Sequence, residues 1–140
     1  MFLVVFCKKY LMNKVNSVQT TWKGLGAGGV LGNKGGLIIS FSIGLTRFNF
    51  LGCHLIHGPH NWQQRNEMIV ELMRVARVSR KEFDSDYQAD HSFILGDLNY
   101  RTNSTFTECI DFIDERYDYF KPMDQLHLTI SSKQLYYGYK

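Results

Sequence analysis

The stretch Phe93–Arg101 presents an acid, an amide and a guanidinium in quick succession, at Asp97, Asn99 and Arg101. Asp97 could orient a water molecule or hold a cation, and Asn99 could donate a hydrogen bond to a phosphate oxygen. The apolar run before Gly96 predicts a short buried strand, whose carboxyl end is where ligands bind in open α/β sheets. Asp97 and Asn99 would share a face in an extended chain. An Asx-rich turn that closes the strand would explain the same residues.

A second polar side chain, His54, is predicted at the exit of another strand. The patterns Gly36–Ile43 and Arg47–Cys53 flank a short turn and predict a β-hairpin. A helix is then predicted from a cap at Asn61 to about Phe83, because apolar residues recur at helical spacing. Since a long helix between two strands brings strand ends together, His54 and Asp97 are expected at one edge of a sheet. A structural histidine is the alternative.

The remaining patterns complete a mixed α/β (α+β) chain. The inward positions predicted for the long helix include Trp62, Ile69, Leu72 and Met73, and Ile110 is one of those predicted for the next helix. The other predicted elements are a buried strand at Met1–Phe6, a weak strand from Val15 through Trp22, a helix from Ser104 or Thr105 to about Tyr117, a short helix from Pro122 to Thr129 and a strand beginning at Leu135.

The glycine-rich stretch 24–36 matches two phosphate-binding motifs only superficially. A dinucleotide fingerprint needs a following helix and an acid about 20 residues on, but glycines and a strand pattern follow, and the first acid is Glu67. A P-loop fails because Asn33 separates Gly32 from Lys34 and no Ser or Thr follows the lysine. The interpretations left open are a loop that approaches an anion through Lys34 and a plain glycine-rich connection.

The charge distribution, the cysteines and the length of the chain limit the classes of protein to which it can belong. Residues 1–66 contain seven Lys/Arg and no Asp or Glu, whereas residues 67–140 contain nine bases and all 13 acids, so the halves carry +7 and −4. An acid-free first half predicts a surface that meets phosphates or an acidic membrane. The three scattered cysteines predict reduced thiols in a cytosolic protein rather than disulfides or zinc. At 140 residues the chain is expected to be one domain at most.

Five segments together resemble the inositol polyphosphate 5-phosphatase catalytic domain of the endonuclease/exonuclease/phosphatase superfamily, and the resemblance runs from about Met1 to Lys140. Their most specific member is Gly-Asp-Leu-Asn-Tyr-Arg, and Leu95 before it departs mildly from the Trp or Phe of many members. The segments are Gly32-Asn33-Lys34-Gly35-Gly36, His54-Leu55, Arg65-Asn66, Gly96-Asp97-Leu98-Asn99-Tyr100-Arg101 and Asp124-Gln125-Leu126.

The resemblance implies Mg²⁺-dependent removal of the 5-phosphate from phosphoinositides or inositol polyphosphates. Asp97 would orient or deprotonate the attacking water, and Asn99 and His54 would hydrogen-bond the phosphoryl oxygens. The residues expected to contact substrate phosphates or to support the site are Asn33, Lys34, Arg101, Arg65 and Asn66. The expected setting is cytoplasmic and peripheral at acidic membranes, with no nucleic-acid partner.

The same resemblance predicts that the chain is the central part, 1–140, of a larger catalytic domain. The family's metal-binding Glu precedes the glycine-rich stretch, but no acid precedes Glu67, so no metal ligand is expected in this chain. The expected fold is a portion of a two-sheet, four-layer DNase I-like sandwich, incomplete at both ends, with apolar faces uncovered and no activity alone. The alternatives are a nuclease of the DNase or abasic-site type and a non-catalytic phosphoinositide-binding module.

Overall fold

The computed structural model describes residues 1–26, 33–75, 89–112, 117–133 and 135–136. The described residues within 1–56 and 67–98 form one compact unit, and those within 57–66 and 99–140 form another. Each unit is built around a different kind of framework, a sheet in the first and short helices in the second. None of the helices among the described residues is long and apolar enough to cross a membrane.

The first unit is a mixed four-stranded sheet. Its strands are β1 (Val15–Gly24), β2 (Gly35–Ile43), β3 (Thr46–His54) and β4 (His91–Asp97), in the spatial order β1-β2-β3-β4. The first three strands pair antiparallel, and β4 pairs parallel to β3. The helix α1 (Trp62–Val75) lies between β3 and β4 in the chain, as a parallel connection requires. The predicted hairpin and the weak strand before it are therefore confirmed.

The core of this unit lies on one face of the sheet. Ile38, Leu51 and Cys53 are buried there, and Ile69 and Leu72 of α1 are fully buried. A methyl group built at Gly36 would lie within 3 Å of the Leu72 side chain, which shows how closely α1 packs on β2. A helix that packs this tightly against the sheet explains why the helical spacing of Ile69, Leu72 and Met73 was a reliable signal.

The opposite face of the sheet is apolar and largely open among the described residues. Phe93 and Leu95 of β4 are 47% and 41% exposed, and Trp22 of β1 is 72% exposed. Phe50 stacks on Phe93 with ring centroids 4.9 Å apart. The prediction that Phe93–Gly96 is a buried strand is thus wrong for this face, although the strand itself is present. An uncovered apolar face agrees with the expectation from the resemblance.

The segment before β1 differs from its prediction. Met1–Phe6 forms no strand, and its large side chains are mostly exposed. Leu3 lies against the sheet, where its side chain would be 3.2 Å from a methyl group at Gly52. A continuous apolar run fits a strand only when both faces are covered, and here the run has no strand neighbour. A 3₁₀ helix, Lys9–Lys14, follows it and leads into β1.

The second unit contains the first residues of α1 and three further helices, α2 (Phe106–Phe112), α3 (Tyr117–Phe120) and α4 (Gln125–Ser131). The α2 helix begins after Thr105, as predicted, but Ile110 is exposed rather than inward. A 3₁₀ turn, Lys121–Met123, contains Pro122, so α4 begins later than predicted, after its cap Asp124. Trp62 is also half-exposed rather than core. Residues 135–136 form no strand.

Candidate active site

In the first unit, the register of the sheet brings three predicted site residues together. His54 and Asp97 are the last residues of β3 and β4, and they are direct partners across the parallel pair. Gly35, the first residue of β2, pairs with His54 on its other side, so Lys34 enters at the same edge. The antiparallel and parallel pairings therefore gather a strand start and two strand ends at one place, as the sequence predicted for His54 and Asp97.

The three side chains are within interaction distance of one another. The Lys34 Nζ atom lies 2.6 Å from His54 Nε2, and Asp97 Oδ2 lies 3.4 Å from the same nitrogen. Nε2 can accept a hydrogen bond from the ammonium group or, when protonated, donate one to the carboxylate. With Nε2 accepting from Lys34, the group offers the remaining Lys34 N–H donors to an anion and the Asp97 carboxylate as an acceptor to a water molecule or a hydroxyl group. Asn33, next to Lys34, is exposed.

Two glycines, Gly96 and Gly35, allow neighbouring backbone segments to approach each other closely at this sheet edge. Gly96 has φ +113°, and a methyl group there would lie 2.2 Å from the carbonyl oxygen of Cys53. Gly35 has φ +144°, and a methyl group there would lie 2.1 Å from the carbonyl oxygen of Lys23. Both positions need glycine because the backbone angle and the lack of space each disfavour a side chain. Residues 27–32 of the glycine-rich stretch lie outside the described residues.

Cys53, directly before His54, is a buried free thiol. Burial, and secondarily the negative charge of Asp97, raises the pKa of the Cys53 thiol to about 12. Its Sγ atom lies 3.6 Å from the carbonyl oxygen of Leu95. The thiol is therefore neutral at ordinary pH and acts as a packing group rather than as a nucleophile.

In the second unit, Arg101 holds Asn99. The guanidinium donates from Nη2 to Asn99 Oδ1 over 2.7 Å and from Nε to the Asn99 carbonyl oxygen over 3.2 Å. Asn99 has φ +57°, in the left-handed region that asparagine tolerates better than most residues. The expectation of an extended chain through Asp97 and Asn99 is therefore wrong, because β4 ends at Asp97 and the backbone turns at Asn99.

The other two predicted residues of this unit, Arg65 and Asn66, lie on the first turns of α1. Arg65 is 0% exposed, and its Nη1 donates to the Gly58 carbonyl oxygen over 2.7 Å. Burial, and to a lesser degree the charge of Arg101, lowers the pKa of Arg65 from its ordinary value, and Tyr100 opposes this change. The Tyr100 hydroxyl donates to Asn66 Oδ1. These contacts favour a buttressing role for both residues over direct contact with a ligand.

Sequence reasoning assigned no role to Gln125, which the structure places at the centre of the contacts around Arg65. Gln125 is buried, and its Oε1 accepts from Arg65 Nη2 over 2.6 Å. The two residues are 60 positions apart in the chain. The only sequence signal was the match of Asp124-Gln125-Leu126 to the resembling family, since buried glutamines leave no periodicity of their own.

The fold and these residues define an α+β domain of the endonuclease/exonuclease/phosphatase superfamily. The chain belongs to "Endonuclease/Exonuclease/phosphatase family 2", whose model matches residues 1–140.

Among curated proteins, the chain is 30% identical over 138 residues to phosphatidylinositol 3,4,5-trisphosphate 5-phosphatase 2A of Danio rerio, covering 96% of this chain and 11% of that protein. It is 32% identical over 126 residues to inositol-1,4,5-trisphosphate 5-phosphatase 1 of Schizosaccharomyces pombe, covering 89% of this chain and 12% of that protein. The chain therefore spans about a tenth of the length of these relatives.

A solved structure is also similar. It is the inositol polyphosphate 5-phosphatase domain of a synaptojanin, in complex with inositol 1,4-bisphosphate and a calcium ion. The TM-score is 0.79 at 26% identity, and the match covers 93% of this chain and 37% of that domain. The similarity confirms the resemblance and the fold class predicted from the sequence.

The residues that the structure describes do not form a complete metal site. No group of three or more His, Cys, Asp or Glu side chains that could hold a metal ion occurs among residues 1–26, 33–75, 89–112, 117–133 and 135–136. At the sheet edge, the carboxylate of Asp97 is accompanied by an imidazole and an ammonium group. Mg²⁺ prefers an octahedral set of oxygen ligands, so this donor set does not fit it.

Proposed function

We propose that the chain contributes His54, Asp97 and Asn99 to the hydrolysis of the 5-phosphate of phosphoinositides or inositol polyphosphates. The observation that carries this proposal is the register of β2, β3 and β4, which gathers Lys34, His54 and Asp97 at one sheet edge. The family membership and the names of the two relatives support the same reaction. The substrate class comes from those relatives, and Mg²⁺ is proposed as the cofactor on the resemblance alone.

The chemistry available to these residues is recognition of a phosphate and orientation of water. Lys34 Nζ lies 2.6 Å from His54 Nε2, so it can donate one N–H to that nitrogen and another to a phosphoryl oxygen. His54 can itself donate to a phosphoryl oxygen when it is protonated, a state in which Nε2 no longer accepts from Lys34. Asp97, 3.4 Å from Nε2, can accept a proton from a water molecule or hold that water in line. Asn99 is proposed to donate its amide to a phosphoryl oxygen as charge develops there.

The proposed setting is the cytoplasmic surface of an acidic membrane, without a nucleic-acid partner. The acid-free first half supports this proposal, because seven bases without an acid give residues 1–66 a net attraction for anionic headgroups. Binding of a soluble inositol phosphate and binding of a lipid headgroup use the same phosphate chemistry, so a test of this setting needs both ligands.

The first test is binding of inositol 1,4-bisphosphate to the 140-residue chain by calorimetry. Lys34→Met should raise Kd about tenfold, because one charge-assisted hydrogen bond to phosphate is lost. Lys14→Met is the matched control. It removes the same charge at the opposite end of the sheet, where β1 begins, and it should change Kd less than about twofold. Equal effects of the two variants would contradict the proposed site.

The second test separates the proposed reaction from its alternatives. Phosphate release from vesicles containing phosphatidylinositol 4,5-bisphosphate is measured with Mg²⁺, beside binding to the same vesicles. Rapid turnover that Asp97→Asn abolishes would support hydrolysis and overturn the expectation that a metal ligand is missing. Salt-sensitive binding without hydrolysis, unchanged by Asp97→Ala, would favour a binding module. A preference for DNA over inositol phosphates would favour the nuclease alternative.

A further inference from the structure

The carboxamide of Gln125 uses its full hydrogen-bonding capacity. Oε1 accepts from Arg65 Nη2 over 2.6 Å and from the Arg101 amide over 3.1 Å. Nε2 donates to the Pro59 carbonyl oxygen over 2.8 Å and to Asn103 Oδ1 over 2.9 Å. These two accepted and two donated bonds use all the hydrogen-bonding groups of the carboxamide. If its oxygen and nitrogen were exchanged, its amide donors would face the N–H donors of Arg65 and Arg101. The side chain is therefore fixed in both place and orientation.

Gln125 also holds the backbone of Arg101 from both sides. The side-chain oxygen of Gln125 accepts from the backbone amide of Arg101, and the backbone amide of Gln125 donates to the Arg101 carbonyl oxygen over 2.9 Å. The adjacent Thr102 and Asp124 form an antiparallel bridge, so the two segments already lie side by side. The side chain of Gln125 adds to this bridge a contact that determines where the peptide plane before Arg101 points.

Arg101 in turn clamps Asn99 through two hydrogen bonds, one to the side-chain oxygen and one to the carbonyl oxygen. A residue with φ +57° has no regular secondary structure to hold it, so its conformation depends on such contacts. A chain of hydrogen bonds therefore runs from the buried pair of Arg65 and Gln125, through Arg101, to Asn99.

We infer that Gln125 is a positioning residue that sets the orientation of the Asn99 carboxamide through Arg101. Gln125 is buried and is bonded to Arg101, whereas Asn99 is the residue proposed to meet a phosphoryl oxygen. The inference rests on the proposed function for the role of Asn99. The hydrogen-bond chain itself does not depend on that role.

The test compares Gln125→Met with Thr129→Val by NMR on the 140-residue chain. Thr129 is a matched control because it is buried on the same helix and its hydroxyl donates to the Gln125 carbonyl oxygen over 2.8 Å, outside the hydrogen-bond chain to Asn99. Arg101→Met gives the side-chain amide shifts of a released Asn99. Gln125→Met should move the Asn99 signals toward those shifts and speed exchange of the Arg101 amide about tenfold. Thr129→Val should do neither.

A conservative variant separates positioning from general support of the fold. Gln125→Glu keeps an acceptor oxygen for the Arg101 amide, so slow exchange at Arg101 and the Asn99 signals should be largely restored. If Gln125→Met does not fold, Gln125→Asn replaces it, because its shorter carboxamide withdraws from Arg101 while staying polar. Unchanged Asn99 signals in whichever of these two variants folds, or equal changes in Thr129→Val, would overturn the inference.

Binding of inositol 1,4-bisphosphate links the orientation of Asn99 to the proposed function. Kd should rise about tenfold in Gln125→Met, because a misdirected carboxamide loses its hydrogen bond to the ligand, and less than about twofold in Thr129→Val. If the unmodified chain does not bind this probe, the proposed function fails, whereas the NMR comparison still decides whether Gln125 positions Asn99. Unaltered binding in Gln125→Met, with shifted Asn99 signals, would overturn the link to function.

Discussion

The sheet edge of the first unit, with His54 and Asp97, and the polar cluster of the second unit, formed by Arg65, Arg101 and Gln125, hold their residues by different physical means. His54 and Asp97 are neighbours because two strands end side by side, so backbone register brings them together. Arg65, Arg101 and Gln125 are far apart in the chain and meet through side-chain hydrogen bonds. The register is fixed by backbone hydrogen bonds along the whole strand, so a single side-chain substitution does not change it. The geometry of a buried polar cluster, in contrast, depends on each of its side chains.

The largest expected loss of stability follows from a substitution at the sheet edge that disturbs the backbone. Gly96→Ala should lower the free energy of unfolding by about 4 kcal/mol or more, because the new methyl group would strike the Cys53 carbonyl oxygen at an unfavourable φ. Gly44→Ala is the matched control at φ +62°, where nothing lies within 4 Å of the methyl group. Its cost should be about 1 kcal/mol, and urea unfolding measures both.

A similar cost for the two glycine variants would show that backbone angle alone, rather than close approach of β3 and β4, requires Gly96. That result would weaken the view that the edge is held by tight strand pairing.

The difference between the regions also explains which parts could be predicted from sequence. The hairpin, α1 and the meeting of His54 with Asp97 follow from periodicity and from the rule that a helical crossover brings strand ends together. The exposed face of β4 was missed because an apolar run does not tell how many of its faces are covered. Gln125 was missed because a buried amide is recognised only by partners distant in the chain.

In the polar cluster, Arg65→Met should lower the free energy of unfolding by about 3 kcal/mol. The variant keeps much of the volume but removes the buried charge-assisted donors to Gly58 and Gln125, so that each of these acceptors keeps only its bond from a backbone amide. Arg101→Met, at an exposed position, should cost less than about 1 kcal/mol. Thermal unfolding of the two variants gives the comparison, and a smaller loss for Arg65→Met would mean that the cluster is not a source of stability.

The pH dependence of the free energy of unfolding tests how closely Cys53 is packed at the sheet edge. Its folded pKa of about 12 lies above the ordinary value of 9.0, so the unfolded state loses the proton first. Its contribution to stability is complete below pH 9 and is lost as pH rises toward 12. Between pH 8 and pH 10, the unmodified chain should lose about 1 kcal/mol more stability than Cys53→Ala. Cys7→Ala, at an exposed thiol, should behave as the unmodified chain does.

The smallest expected effect concerns the cap of α2 in the second unit, where exposed hydrogen bonds replace buried ones. The Thr105 amide and hydroxyl donate to the Glu108 carboxylate over 2.8 and 2.9 Å, and these bonds lower the pKa of Glu108. A lowered folded pKa means that the stabilisation is complete above the ordinary value of 4.5 and is lost as pH falls through the folded pKa. NMR titration of Glu108 should therefore give a pKa below 4.5, and Thr105→Ala should raise it because only the amide bond remains. An unchanged pKa in Thr105→Ala would show that the hydroxyl contributes nothing and that the backbone amide alone holds the carboxylate.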